Sequence, residues 1–160
     1  MERIEYRDVV DKSKWARGPW DNEPDKIQWK DEATGLPCLI VRSHVSGNLC
    51  GYVGVSSNHP LYEKRYQDQD LEVHGGLSYA DKCMDGAPES DGICHIPGDG
   101  EPDHVWWFGF DCAHCFDKTP AIMRYLPEFT SKHGITVTYR DVPYVENECR
   151  ELAKQLKALE

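Results

Sequence analysis

The run HVWWFGFD at residues 104–111 constrains the fold more than any other stretch. In an extended chain His104, Trp106, Phe108 and Phe110 share one face, while Val105, Trp107, Gly109 and Asp111 share the other. Both faces are largely apolar, which predicts a central strand covered on both sides. The rest of the chain must therefore supply neighbouring strands and something to cover two sheet faces.

Other segments supply the neighbours. KIQWKD and LPCLIVRSHV read as strands joined by EATG, and SGN then leads tightly into a strand at LCGYVGV. LEVHGGLSY and GITVTYRD read as further strands. SSNHPLYEKRY begins like one helical turn capped by Asn58, with Pro60 near its first position, and TPAIMRYL starts like a short helix. The Gly-, Pro- and Asp-rich residues 80–103 form a long loop, of a length usually functional or disordered. Near the end of the chain, Val145, Cys149, Leu152, Ala153, Leu156 and Leu159 fall on one face of a helix. Strands mostly in sequence and helices few and late predict an α+β fold: a single domain with a mostly antiparallel β-sheet and an amphipathic C-terminal helix packed on one face. Residues 1–24 read as an N-terminal arm and residues 25–160 as the domain.

Composition narrows the function classes. A formal net charge of −10 argues against nucleic acid, whose binders carry a basic stripe. The opening MERIEYRDVVDKSKW has no signal-peptide apolar core, and no apolar run reaches membrane-spanning length. No membrane partner and a cytoplasmic location are expected. Seven irregularly spaced cysteines then read as thiols, metal ligands or redox groups rather than a disulfide framework.

The candidate chemistry gathers at two places. If LEVHGG is a strand, Glu72 and His74 share a face, suited to metal ligation or to a base and its orienter. Gly75 and Gly76 behind them permit close approach of a substrate or metal to the backbone. Asp111 ends the buried strand, a costly place for an unpartnered carboxylate, and His114 follows three residues on. Brought together, Glu72, His74, Asp111 and His114 have the donor types of a hydrolytic metal site, with His74, Asp111 and His114 as ligands, Glu72 and His74 as catalytic groups, and zinc the first candidate ion. Tyr52 and Trp107, with Gly75 and Gly76, would line the substrate pocket, and residues 80–103 would form its lid. The bland alternative is that Asp111 caps the following turn and His114 is an ordinary loop residue. The C-x-x-C at Cys112 and Cys115 has no second pair at the spacing of a structural zinc site and no helix directly behind it for a redox motif.

The segments GPWDNEPDKIQWKDEATGLPC, CGYVGVSSNHPLY, LEVHGGLSYA, WWFGFDCAH and YRDVPYVENECRELAKQL, in this order, resemble a family of small uncharacterised proteins encoded by bacteriophages, prophages and bacteria. The resemblance spans roughly residues 18–156 and implies a cytosolic, phage-derived protein. It supplies no mechanism. The reading is thus a metal-dependent hydrolase-like enzyme acting on a small polar or nucleotide-like substrate. The alternative is a non-catalytic binding protein that sequesters a small signalling ligand or blocks a host protein.

Overall fold

The computed structural model describes residues 1–122, 132, 134 and 136–160. The strands are β1 (Ile4–Tyr6), β2 (Lys26–Lys30), β3 (Pro37–Arg42), β4 (Leu49–Ser56), β5 (Tyr79–Lys82) and β6 (Val105–Asp111). They form one six-stranded antiparallel sheet in the order β1-β2-β3-β4-β6-β5. The helix α1 (Val142–Lys157) packs on β3 and β4. The architecture is α+β.

Alternation along the strands sends two apolar sets to opposite faces. Ile27, Cys38, Ile40, Leu49, Val53, Phe108 and Phe110 meet Val145, Cys149, Leu152 and Leu156 of α1 in the larger core. Leu39, Tyr52, Val105 and Trp107 form a smaller core on the other face. β6 is the strand buried from both sides, with Trp107 and Phe108 each 0% exposed. The start of α1 is fixed by Asp141, whose side chain accepts the Tyr144 N–H, and by Glu23 Oε2, which accepts the Val142 N–H at 2.8 Å.

Among the described residues no helix covers the second face; the segment after β5 does. Ile93 and Cys83 pack on Tyr52 and Trp107. Lys26 Nζ donates to the carbonyls of Glu89, Gly92 and Cys94 at 2.6, 2.5 and 2.9 Å. The Gln28 side chain donates to the Ile96 carbonyl and accepts the Ile96 N–H. Apart from Ala80–Lys82, which belong to β5, residues 80–103 are therefore not a lid over His74, as the sequence suggests, but the cover of the opposite sheet face. The Cys83 and Cys94 Cα atoms come within 4.7 Å and the two residues are joined as a disulfide, where the sequence predicts thiols, metal ligands or redox groups rather than disulfides.

Four further expectations change. The N-terminal arm is partly structural, because β1 pairs with β2. LEVHGG is a loop: Gly75 and Gly76 sit at φ +67° and +81° and turn the chain before β5. After β4 it is His59, not Asn58, that ties the segment down. Its Nδ1 accepts the Leu61 N–H, and its Nε2–H donates to the Leu156 carbonyl of α1 at 2.7 Å. Of the strand expected at GITVTYRD, the described residues form only one parallel bridge, Thr138 to Asp117. The helix expected at TPAIMRYL falls largely outside the described residues.

Burial sets an alkaline limit on this fold. It pushes the thiols of Cys38, Cys112 and Cys149 well above their ordinary value of 9 and that of Cys50 up to about 12. Unfolded thiols ionise near 9 while these stay protonated, so above that pH the unfolded state binds fewer protons. Their contribution is full below about pH 9 and is lost as pH rises toward the folded values. The urea midpoint is expected to fall steadily from about pH 9 upward; a midpoint flat through that range would contradict the assignment.

Candidate functional site

Beyond β6 the chain folds into a turn closed at both ends. Asp111 Oδ1 accepts the Ala113 N–H at 3.1 Å, the Asp117 N–H donates to the His114 carbonyl, and Asp117 Oδ2 accepts the His114 N–H at 3.0 Å. Cys112 points into the core, while Cys115 is exposed. The turn thereby buries the Asp117 carboxylate, whose side chain is only 1% exposed.

Three side chains converge on that carboxylate. Asp117 Oδ2 lies 2.8 Å from His74 Nε2 and 3.2 Å from His114 Nδ1, while Oδ1 accepts from Arg140 Nε at 3.0 Å. Burial alone would push the Asp117 carboxyl up, but the hydrogen bonds from His74, the His114 backbone and Arg140 outweigh it and hold it below the ordinary carboxylate value. An ionised carboxylate only accepts, so His74 carries its proton on Nε2, and Nδ1 accepts the Tyr144 hydroxyl at 2.8 Å. Burial, followed by the Glu148 carboxylate, pushes that hydroxyl up to about 12, so it stays protonated. A hydroxyl can also accept, so Tyr144 can serve either imidazole tautomer.

The loop carrying His74 is held against α1. Gln155 accepts the Glu72 N–H and donates to the Glu72 carbonyl, both at 2.7 Å, in the manner of a neighbouring strand. Leu71, Val73 and Leu77 pack on the larger core. Gly75 lies flat against His114: a Cβ there would meet the imidazole at 2.0 Å, whereas a Cβ on Gly76 would meet nothing within 4 Å. Both glycines have positive φ, so comparing them isolates the contact. Gly76→Ala is expected to cost about 1 kcal/mol from backbone strain, and Gly75→Ala clearly more, measured by urea unfolding. Equal losses would mean that the ring is free to move aside.

One donor atom from each of His74, His114 and Asp117 lies within 4.8 Å of the other two. Of the sequence-predicted residues, His74, His114 and Gly75 come together. Glu72 does not: LEVHGG is no strand, and its side chain is exposed on the surface. Asp111 stands at the rim, 3.9 Å from His114 Nδ1, outside the close group and engaged in capping its own turn. Gly76 has open space around it. Tyr52 and Trp107 are buried on the far side of the sheet, because alternation turns them away from α1, and they line no pocket at His74. The residues that sequence reasoning missed are Asp117, Arg140 and Tyr144. Only Asp117 left a local signal, as the fourth residue of a tight turn begun by His114. Comparison with protein-family models, with curated proteins and with solved structures finds no match.

Proposed function

We propose that the protein is a metal-dependent hydrolase-like enzyme whose divalent ion, zinc by donor type, is held by His74, His114 and Asp117. The observation that carries this reading is the convergence of two imidazoles and one carboxylate, each of two donors braced by a further partner. Tyr144 fixes His74 through Nδ1, and Arg140 fixes Asp117 through Oδ1. Such outer partners set ligand orientation and basicity in metal sites. Three protein ligands leave a fourth position open, and the His114 side chain, 39% exposed, puts that position at the surface. A bound ion would bring the pKa of its water near neutrality and polarise the scissile group. Asp111 is the carboxylate at the rim, taking the acid/base role that the sequence assigns to Glu72. The substrate class is a small polar or nucleotide-like molecule, and the phage origin remains part of the same proposal.

Metal analysis of untagged protein tests it. With the Cys83–Cys94 disulfide intact, about one zinc per chain is expected, lost in His74→Ala and in His114→Ala, with Tyr144→Phe weakening binding roughly 10-fold or more. Protein that stays metal-free after zinc is supplied, with thermal stability unmoved by the ion, sinks the proposal. A non-catalytic binding protein is the second reading, favoured by the exposed position of Glu72 away from the cluster. Nucleotides recovered unchanged from long incubation with zinc-loaded protein would favour it; turnover abolished by His74→Ala would favour the enzyme.

A further inference from the structure

On the opposite face of the sheet a second set of donors is assembled. Ligand atoms of Cys83, Cys94 and His95 lie within 4.8 Å of one another. Cys83 follows β5, and Cys94 and His95 sit on the covering segment, so the three join the two parts of the structure that close the smaller core.

Three observations mark this as more than a disulfide with a histidine beside it. His95 Nδ1 is buried and has no hydrogen-bond partner among the described residues, an uncommon state for a buried ring nitrogen. The indole Nε1–H of Trp107 donates to Cys83 Sγ at 3.3 Å, the type of N–H···S contact that steadies a metal-bound thiolate. Finally, the segment is pinned independently of its cysteines. Lys26 holds the carbonyls of Glu89, Gly92 and Cys94, and Gln28 holds both backbone groups of Ile96 directly after His95. Breaking the S–S bond therefore leaves the three donors in place.

We infer that Cys83, Cys94 and His95 form a second, redox-gated metal site that binds zinc when the cysteines are reduced and is closed when they are joined as a disulfide. The gating step balances with a dithiol as reductant. One thiolate of the dithiol attacks the sulfur of one cysteine and releases the other cysteine as its thiolate, and the second thiol then displaces the attacked cysteine from the mixed disulfide. The dithiol leaves as its own disulfide, and Cys83 and Cys94 are left as two thiols. Zinc binding then releases the two thiol protons, and two thiolates with one neutral imidazole offset the double charge of the ion. Two sulfurs and one nitrogen suit zinc over the harder divalent ions. This site is independent of the one at His74, His114 and Asp117, which has no sulfur donor.

Cobalt(II) titration distinguishes the two sites, because only thiolate ligation gives an intense sulfur-to-cobalt charge-transfer band in the near ultraviolet. The titration is run in a Cys115→Ser background, which removes the exposed free thiol. Protein reduced with a dithiol and desalted without oxygen should develop the band. The oxidised protein should not, and it serves as a comparison needing no further substitution. Cys83→Ser and Cys94→Ser should each abolish the two-thiolate band, and His95→Ala should weaken cobalt binding ~10-fold or more. The inference is overturned if the reduced protein shows no charge-transfer band, if the band survives both cysteine substitutions, or if His95→Ala binds as tightly as the parent. Weak d–d absorption with no charge-transfer band would place cobalt at His74 and His114 alone, rejecting this site while supporting the other.

Discussion

With the Cys83–Cys94 disulfide intact, Asp117→Ala is expected to abolish stoichiometric zinc binding and to lower the unfolding free energy by about 3 kcal/mol, the range for removing one partner of a buried ion pair. For a chain of this size that corresponds to a fall in Tm of roughly 6–12 °C. The cause is local. With the carboxylate gone, Arg140 Nε, His74 Nε2 and the His114 N–H lose their common acceptor at once. The pH dependence has a definite sign. Because the folded carboxyl lies below its ordinary value of 3.8, its contribution is present above that value and is lost as pH falls through the lower folded value. The variant should therefore lack this part of the acid branch. Asp117→Asn separates the two roles, since its amide oxygen can still accept from Arg140 while supplying no anionic ligand. It should recover part of the stability and none of the metal. Urea unfolding with metal analysis on the same samples decides the matter, and an Asp117→Asn protein that binds zinc normally would refute the ligand assignment.

Arg42→Met is expected to destabilise the protein by about 3–5 kcal/mol, a large share of the 5–15 kcal/mol that holds a typical domain folded. The Arg42 side chain is 0% exposed and reaches five acceptors. Nε binds Asp25 Oδ1 at 2.8 Å, one terminal nitrogen binds the Gly47 carbonyl and the Tyr139 hydroxyl, and the other reaches Glu23 Oε1 and the Pro24 carbonyl at 3.3 Å. Lys12 still compensates Asp25 in the variant, but Glu23 loses its cation while capping the first N–H of α1. Adding Glu23→Gln removes the uncompensated charge, so the double variant should recover part of the loss. A single variant within about 1 kcal/mol of the parent would show that water or Lys12 replaces the guanidinium.

The sheet was largely legible because burial leaves a direct pattern on strands. Two-sided apolarity marks β6, and the helical spacing of Val145, Cys149, Leu152 and Leu156 marks α1. LEVHGG misleads because its alternation is that of a strand, while Gln155, a helix side chain 83 residues away, supplies the backbone partners a strand would have. No local pattern announces that. The candidate site was half legible for the same reason. His74 and His114 stand out by residue type, but Asp117, Arg140 and Tyr144 acquire their roles only when the turn, the 140s and the loop meet. The Asp111 of GFDCAH looked like the natural ligand because it ends a buried strand, yet a strand-end carboxylate can be satisfied by its own turn, and here it is. The cover of the second face was hidden too, since nothing in Lys26 or Gln28 alone foretells that they hold down a segment more than 60 residues away.

The bond between His74 and Tyr144 spans 70 residues and ends on the last helix of the chain. A ribosome making this protein completes every strand of the sheet before it makes Tyr144, and all the while His74 has no partner on Nδ1. Gln155, which holds the Glu72 backbone, is made later still. The donor cluster is thus among the last parts of the molecule to be assembled, which keeps the nascent chain from holding a finished His74–His114–Asp117 cluster before its core is closed.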